Sequence, residues 1–239
     1  MAVARDSARR EPKGRLTLWG HFTSLPTGKA VLMLSLCKLP FVFREVALFD
    51  REQHGEEFSR LNPARQVPVL QRGRSYIRQS AAILLYLSEL SGKFGGRSDA
   101  EKRAILEWLF FDADMVASLR IPRTLTIIFD GRQPEVCAYH RERGRKALAL
   151  LDDVLRERPF VVGRQPTVAD IAMFPVIDNA GEAAVEIASF RGVKAWRRRM
   201  LELPGCMNHY TLMERYTAVD MTSTPAALAA EKSGVRGSG

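Results

Sequence analysis

The sequence predicts a chain of two unlike halves, a small α/β unit followed by a larger all-helical one. Three observations carry this. Every short apolar run of strand character lies before residue 91, the segment SGKFGGRSD over residues 91–99 is the strongest breaker in the chain, and beyond it apolar residues recur only at helical spacing. The length of 239 residues allows one or two domains, and 46% apolar residues supply a core for each.

The elements follow in order. LTLWG, residues 16–20, is short and apolar and reads as a buried strand. HFTSLPTG is a loop, and KAVLMLSLCK, residues 29–38, is apolar almost all round, so it reads as a helix covered on most sides and stopped by Pro40. Phe41, Phe43 and Val46 mark a second strand over residues 41–49, and a polar stretch with a helical turn around residues 56–61 comes next. VPVL, residues 67–70, is a strand with Pro68 inside it. Proline cannot donate to a ladder, so this segment is an edge strand or carries a special peptide bond. Arg72-Gly73-Arg74 is a turn with residues 75–78 as its hairpin partner, and Ile83, Leu84, Leu87 and Leu90 share one face of a helix over residues 79–90.

After the linker, Ile105, Leu106, Leu109, Phe110, Ala113 and Val116 form one helical stripe and Ala147, Leu148, Leu151, Val154 and Leu155 another. Thr167 and Asp170 have capping-box spacing and read as the structural cap of a core helix. Trp196 and Met200 are core residues of a helix that Pro204-Gly205 stops, and Arg197–Arg199 reads as its solvated face. The expected organisation is a basic arm over residues 1–15, an α/β domain over 16–92, a linker over 93–99, a helical domain over 100–220 and a disordered tail over 221–239.

Composition narrows the function classes. No apolar run approaches the ~18 residues of a membrane span. The N-terminus is charged without an apolar segment, so it is not a secretory signal. Three cysteines at wide spacing imply no disulfide framework and a reducing, cytoplasmic setting. The four histidines are scattered, and no zinc-binding spacing is present. Lys and Arg total 36 against 27 acidic residues, a net charge of +9 that raises nucleic acid as a partner. No recognition motif or aromatic series supports that reading. The basic residues concentrate in the N-terminal arm and around Lys194 and Arg197–Arg199, so the charge reads as solvated surface and nucleic acid is not expected.

TSLPTGKA after a strand imitates a phosphate-binding loop, but Thr23 stands where glycine is needed and Ala30 where a magnesium-binding hydroxyl is needed, so nucleotide binding is excluded. The informative segment is NPARQVPVLQRGRSYIRQSAAILLYL, residues 62–87. If the Val67–Pro68 bond is cis, the Val67 backbone turns away from the sheet and can pair with an extended peptide-like ligand. Gln79-Ser80 opens a helix, where free amides and a hydroxyl suit a carboxylate. A short peptide with a terminal carboxylate satisfies both.

LNPARQVPVL, RQSAAILLYL and FVVGRQPTVADIAMF, followed by VKAWRRRMLELPG, resemble the motifs of the cytosolic glutathione S-transferase superfamily, in the right order on both sides of the linker and over about residues 16–213. The resemblance implies a thioredoxin-like βαβαββα domain with a mixed sheet that binds glutathione, an all-α domain that shapes the pocket for a hydrophobic electrophile, a homodimer, and no metal. It implies conjugation of glutathione as the reaction, admits glutathione-peroxidase activity, and leaves a non-catalytic binding protein as the alternative. Val67 is the residue expected to pair with the cysteinyl backbone of glutathione, with Gln66 beside it and Pro68 as the cis-proline. Gln79 and Ser80 hold the γ-glutamyl group, and His54 falls near the family's basic residue for the glycyl carboxylate.

The chemistry requires the glutathione sulfur as thiolate. A free thiol has a pKa of about 8.5, so a hydroxyl must donate to the sulfur to favour the anion. The place of the tyrosine used by some classes is occupied by Trp19. Alignment on Lys29 puts Ser24 at the serine that other classes use, with Thr23 and Thr27 as alternatives, whereas Cys37 lies too far into its helix and reads as packing. Phe22, Leu25, Leu119 and Arg120 are the expected electrophile pocket, the last two on the first long helix after the linker.

Overall fold

The computed structural model describes residues 14–129 and 133–217. Most of the basic arm and all of the expected tail over residues 221–239 lie outside the described residues. The first half contains β1 (Leu16–Gly20), α1 (Leu25–Cys37), β2 (Phe41–Glu45), α2 (Glu56–Leu61), β3 (Val69–Arg72), β4 (Ser75–Arg78) and α3 (Ser80–Ser91). The strands lie in the order β2-β1-β3-β4, with β1 parallel to β2 and antiparallel to β3, and β3 antiparallel to β4. This is the expected thioredoxin-like mixed sheet. After Gly92 the described residues form helices and no strand: α4 (Asp99–Asp114), α5 (Arg120–Phe129), α6 (Pro134–Glu157), α7 (Val168–Asp178), α8 (Arg191–Leu201) and α9 (His209–Thr217), with short 3-10 turns between some of them.

Alternation along β1 divides the sheet's two faces. Leu16 and Leu18 enter the main core, whereas Trp19 packs on the other face with Val46, Phe58 and Val69 under α2. Helix α1 is buried on nearly every side because the sheet-side helix α3 lies against it and the helical domain's α7 and α9 cover the rest. This explains its uniformly apolar sequence, and one continuous core joins the two halves.

The structure departs from the sequence reading at several boundaries. Helix α1 begins at Leu25, four residues earlier than expected. Ser24 caps it by accepting from the Thr27 N–H at 3.3 Å, and Pro26 sits in the first turn, where a missing N–H costs nothing. Strand β2 stops at Glu45. Strand β3 starts at Val69 rather than Val67 and runs inside the sheet, so the edge-strand alternative fails. The Val67–Pro68 bond is cis, as the other alternative required.

Thr167 and Asp170 form the expected capping box. Asp170 is fully buried and accepts from the backbone of Val161 and Thr167, the Thr167 hydroxyl and the Trp196 indole. Burial pushes its carboxyl pKa up and these four donors oppose that. The Arg197–Arg199 run is less solvated than expected: Arg197 pairs with Asp178 at 2.5 Å and Arg199 donates to the Pro159 carbonyl at 2.9 Å.

Candidate active site

A cleft of about 530 Å³ lies between the two halves, a size suited to a small ligand. Its walls come from five separated segments: the start of α1, the stretch after β2 that carries Leu48 and Gln53, the loop before β3, the start of α3, and the α4–α5 region of the helical domain.

On the α/β side, Gln53, Gln66, Val67, Pro68, Gln79 and Ser80 meet at the cleft. Asn62 shapes the loop before β3. It is buried, donates its amide to the Gln66 carbonyl at 2.7 Å and accepts from the Ala64 N–H at 3.1 Å. Because the β3 ladder begins at Val69, Val67 stands outside the sheet beside the cleft. Gln79 has φ 68°, a backbone conformation unfavourable for a side chain other than glycine's, and immediately precedes α3. Such strain concentrates at ligand-binding positions. Its consequence is that Gln79 and Ser80 both line the cleft at the positive end of a 12-residue helix.

Ser24 also lines the cleft. Its oxygen accepts from Thr27, and a hydroxyl keeps its own proton free to donate. The alternatives are committed elsewhere. Thr27 is fully buried and does not line the cleft, and the Thr23 hydroxyl lies 2.9 Å from His21 Nδ1. Trp19 donates to the Gln71 side chain at 3.1 Å. Burial pushes the Cys37 thiol up and the Cys206 thiol to about 12, Cys137 is also buried, and none of the three lines the cleft.

The helical domain holds the Ser24 loop in place. His209 Nε2 donates to the Phe22 carbonyl at 2.9 Å, and Arg123 donates to the Thr23 carbonyl at 3.0 Å. Arg123 is itself paired with Glu182 and donates to the Tyr210 hydroxyl, which donates in turn to Glu182. The His209 ring fits because residue 28 is glycine; a Cβ there would overlap the imidazole. Burial, then the charge of Arg123, lowers the His209 pKa to about 3, so the ring stays neutral.

The sequence reading missed one buried interaction. Lys29, four residues into α1, pairs with Asp112 of α4 at 2.6 Å across the domain boundary, both side chains nearly sequestered. Burial lowers the Lys29 pKa and Asp112 opposes that. A lysine in an otherwise apolar helix was the available signal, but its partner lies 83 residues away.

Three expected positions differ. His54 is exposed and outside the cleft lining, because the 3-10 turn Glu52–His54 directs Gln53 inward instead. Phe22 stacks on His21 with ring centroids 4.5 Å apart and does not line the cleft. Leu119 is buried against Gly144 of α6, so it is a core residue. Leu25 and Arg120 do line the cleft, but Arg120 opens α5 rather than lying on the first long helix after the linker.

Among the described residues no group of three potential metal ligands converges, and no helix is long and apolar enough to cross a membrane. Residues 24–90 match the family model described as glutathione S-transferase, N-terminal domain, and residues 112–204 match the C-terminal domain model of the same description. The chain is 29% identical over 196 residues to the disulfide-bond oxidoreductase YfcG of Escherichia coli, covering 77% of this chain and 90% of that one. It is 30% identical over 150 residues to glutathione S-transferase 2 of Anopheles gambiae, covering 59% of this chain and 68% of that one. A crystal structure of a glutathione S-transferase from Pseudomonas fluorescens superposes with a TM-score of 0.77 at 26% identity, covering 81% of this chain and 98% of that one.

Proposed function

Because this chain belongs to the glutathione S-transferase family, we propose that it binds glutathione in the interdomain cleft and joins it through its sulfur to an electrophile. The observation that carries the reading is the convergence of Ser24, Val67–Pro68 and Gln79–Ser80, three segments far apart in sequence, on one cleft. Gln79 and Ser80 take the γ-glutamyl carboxylate at the start of α3. Val67 pairs with the cysteinyl backbone. Gln53, which lines the cleft, offers its side-chain amide N–H to the glycyl carboxylate in place of a basic residue.

Ser24 donates its hydroxyl to the sulfur, and the positive end of α1 adds to the stabilisation of the thiolate. The thiol proton leaves to solvent. The thiolate forms a C–S bond to the electrophilic carbon, and the leaving group departs with the bonding pair. Holding both reactants in one cleft makes the step effectively unimolecular. The same reading includes a cytoplasmic homodimer; Phe110 on α4, 72% exposed, and Leu106 one turn before it offer an apolar surface for a second copy.

The test is Ser24→Ala. The variant is expected to bind glutathione within a few-fold of the native affinity, to raise the pKa of the bound thiol, and to lose about 10²-fold in kcat/KM, the scale of one lost donor to a developing anion. Unchanged turnover would move the role to another group. A protein that neither binds immobilised glutathione nor conjugates any acceptor would refute the enzyme reading. Binding without turnover is the outcome that a non-catalytic binding protein predicts.

A further inference from the structure

The acceptor side of the cleft is not the apolar surface that a hydrophobic electrophile requires. Along α5, Arg120, Thr124 and Ile127 recur at helical spacing and all three line the cleft, opposite Leu25 at the start of α1. Ala113 and Ala117 are small and leave space in front of them. The charges here do not cancel. Lys29 is matched by Asp112 and Arg123 by Glu182. Arg120 feels the Asp112 charge, but that carboxylate is paired with Lys29, and the Arg120 side chain has no hydrogen bond or ion pair among the described residues. Its Nε is buried and unpartnered. A guanidinium with an unused, desolvated donor beside a hydroxyl is a carboxylate site.

Resting on the transferase reading above, we propose that the electrophile is an anion, an organic acid whose carboxylate is held by Arg120 with Thr124 while its apolar body lies against Leu25 and Ile127. Arg120 is then the specificity-determining residue for the acceptor.

Two matched acceptors test this, 4-chloro-3-nitrobenzoate and 4-chloro-3-nitrobenzamide. In both the thiolate sulfur bonds to the chlorine-bearing carbon and chloride leaves with the bonding pair, so no oxidant or reductant is needed. Each kcat/KM is divided by the uncatalysed rate with glutathione, which removes the difference in intrinsic reactivity. The carboxylate is expected to be preferred at least tenfold. Arg120→Met is expected to abolish that preference and Arg120→Lys to retain part of it, both with the glutathione affinity unchanged.

Calorimetry of the two corresponding S-aryl glutathione conjugates gives a readout independent of turnover, with the same preference expected. If Arg120→Met does not fold, Thr124→Ala carries the test and should reduce the preference several-fold. Equal binding and turnover of the two forms by a protein that binds glutathione would overturn the anionic acceptor and leave the transferase reading standing. A preference unmoved by the Arg120 and Thr124 variants would overturn the assignment to this wall. No glutathione binding at all would overturn both readings.

Discussion

Replacing Lys29 with methionine should be among the most damaging single changes to the stability of this protein. The ammonium lies 2.6 Å from the Asp112 carboxylate, and the two side chains are 4% and 5% exposed. At an effective dielectric near 20, a pair this close gains about 6 kcal/mol of attraction, which is offset by a desolvation cost of several kcal/mol for each ion. The intact pair therefore contributes little net stability. Lys29→Met removes the attraction but leaves the Asp112 desolvation cost in place. Asp112 Oδ1 already lacks a hydrogen-bond partner, and Arg120 can compensate only in part.

We expect a loss of about 3 kcal/mol, at the low end for a broken buried pair. At about 2–4 °C per kcal/mol for a chain of this size, the melting temperature falls by roughly 6–12 °C. The double variant Lys29→Met, Asp112→Leu removes both ions and should recover most of that loss. Urea unfolding of the four proteins in the cycle measures the coupling directly. A Lys29→Met loss below about 1 kcal/mol, or a double variant as unstable as the sum of the singles, would refute the reasoning.

Two further predictions rest on the loop that carries Ser24. Burial, the largest cause, raises the Glu45 pKa from 4.5 to about 7, opposed by the Phe22 N–H that donates to it and reinforced by Glu52. The folded state then binds more protons than the unfolded one between those values. The contribution of Glu45 to stability is therefore greatest below pH 4.5, falls as pH rises towards 7, and is level above. Glu45→Gln should remove that slope; after allowance for the group's partial exposure the effect is about 1 kcal/mol, read from melting temperatures at pH 5 and pH 8. Separately, Gly28→Ala should lose about 1–3 kcal/mol despite alanine's better helix propensity, because the new methyl meets the His209 ring. Adding His209→Ala should relieve that clash, and calorimetric unfolding of the pair distinguishes it from a general loss of helix packing.

Several features of the site were legible without coordinates because they are local. Pro68 in a strand-like run demands an edge or a special peptide bond whatever surrounds it, and the bond is cis. A Gln-Ser pair ahead of an apolar helix face marks a helix start. Thr167 and Asp170 identify their own cap by spacing alone. Each depends on backbone chemistry within a few residues.

What only the tertiary structure decided depends on which side chain meets which across long sequence distances. A 3-10 turn exchanges His54 for Gln53 at the cleft, a rotation that composition does not encode. Leu119 and Arg120 are neighbours in sequence, yet one packs against Gly144 and the other opens onto the cleft. The Thr23 and Phe22 carbonyls are held by Arg123 and His209 from 100 and 187 residues away, and Lys29 finds Asp112 across the domain boundary. Backbone preferences are short-ranged and survive in a linear reading. Charge compensation and desolvation are properties of the assembled volume, so the electrostatic character of the acceptor wall appears only when the two halves close on each other.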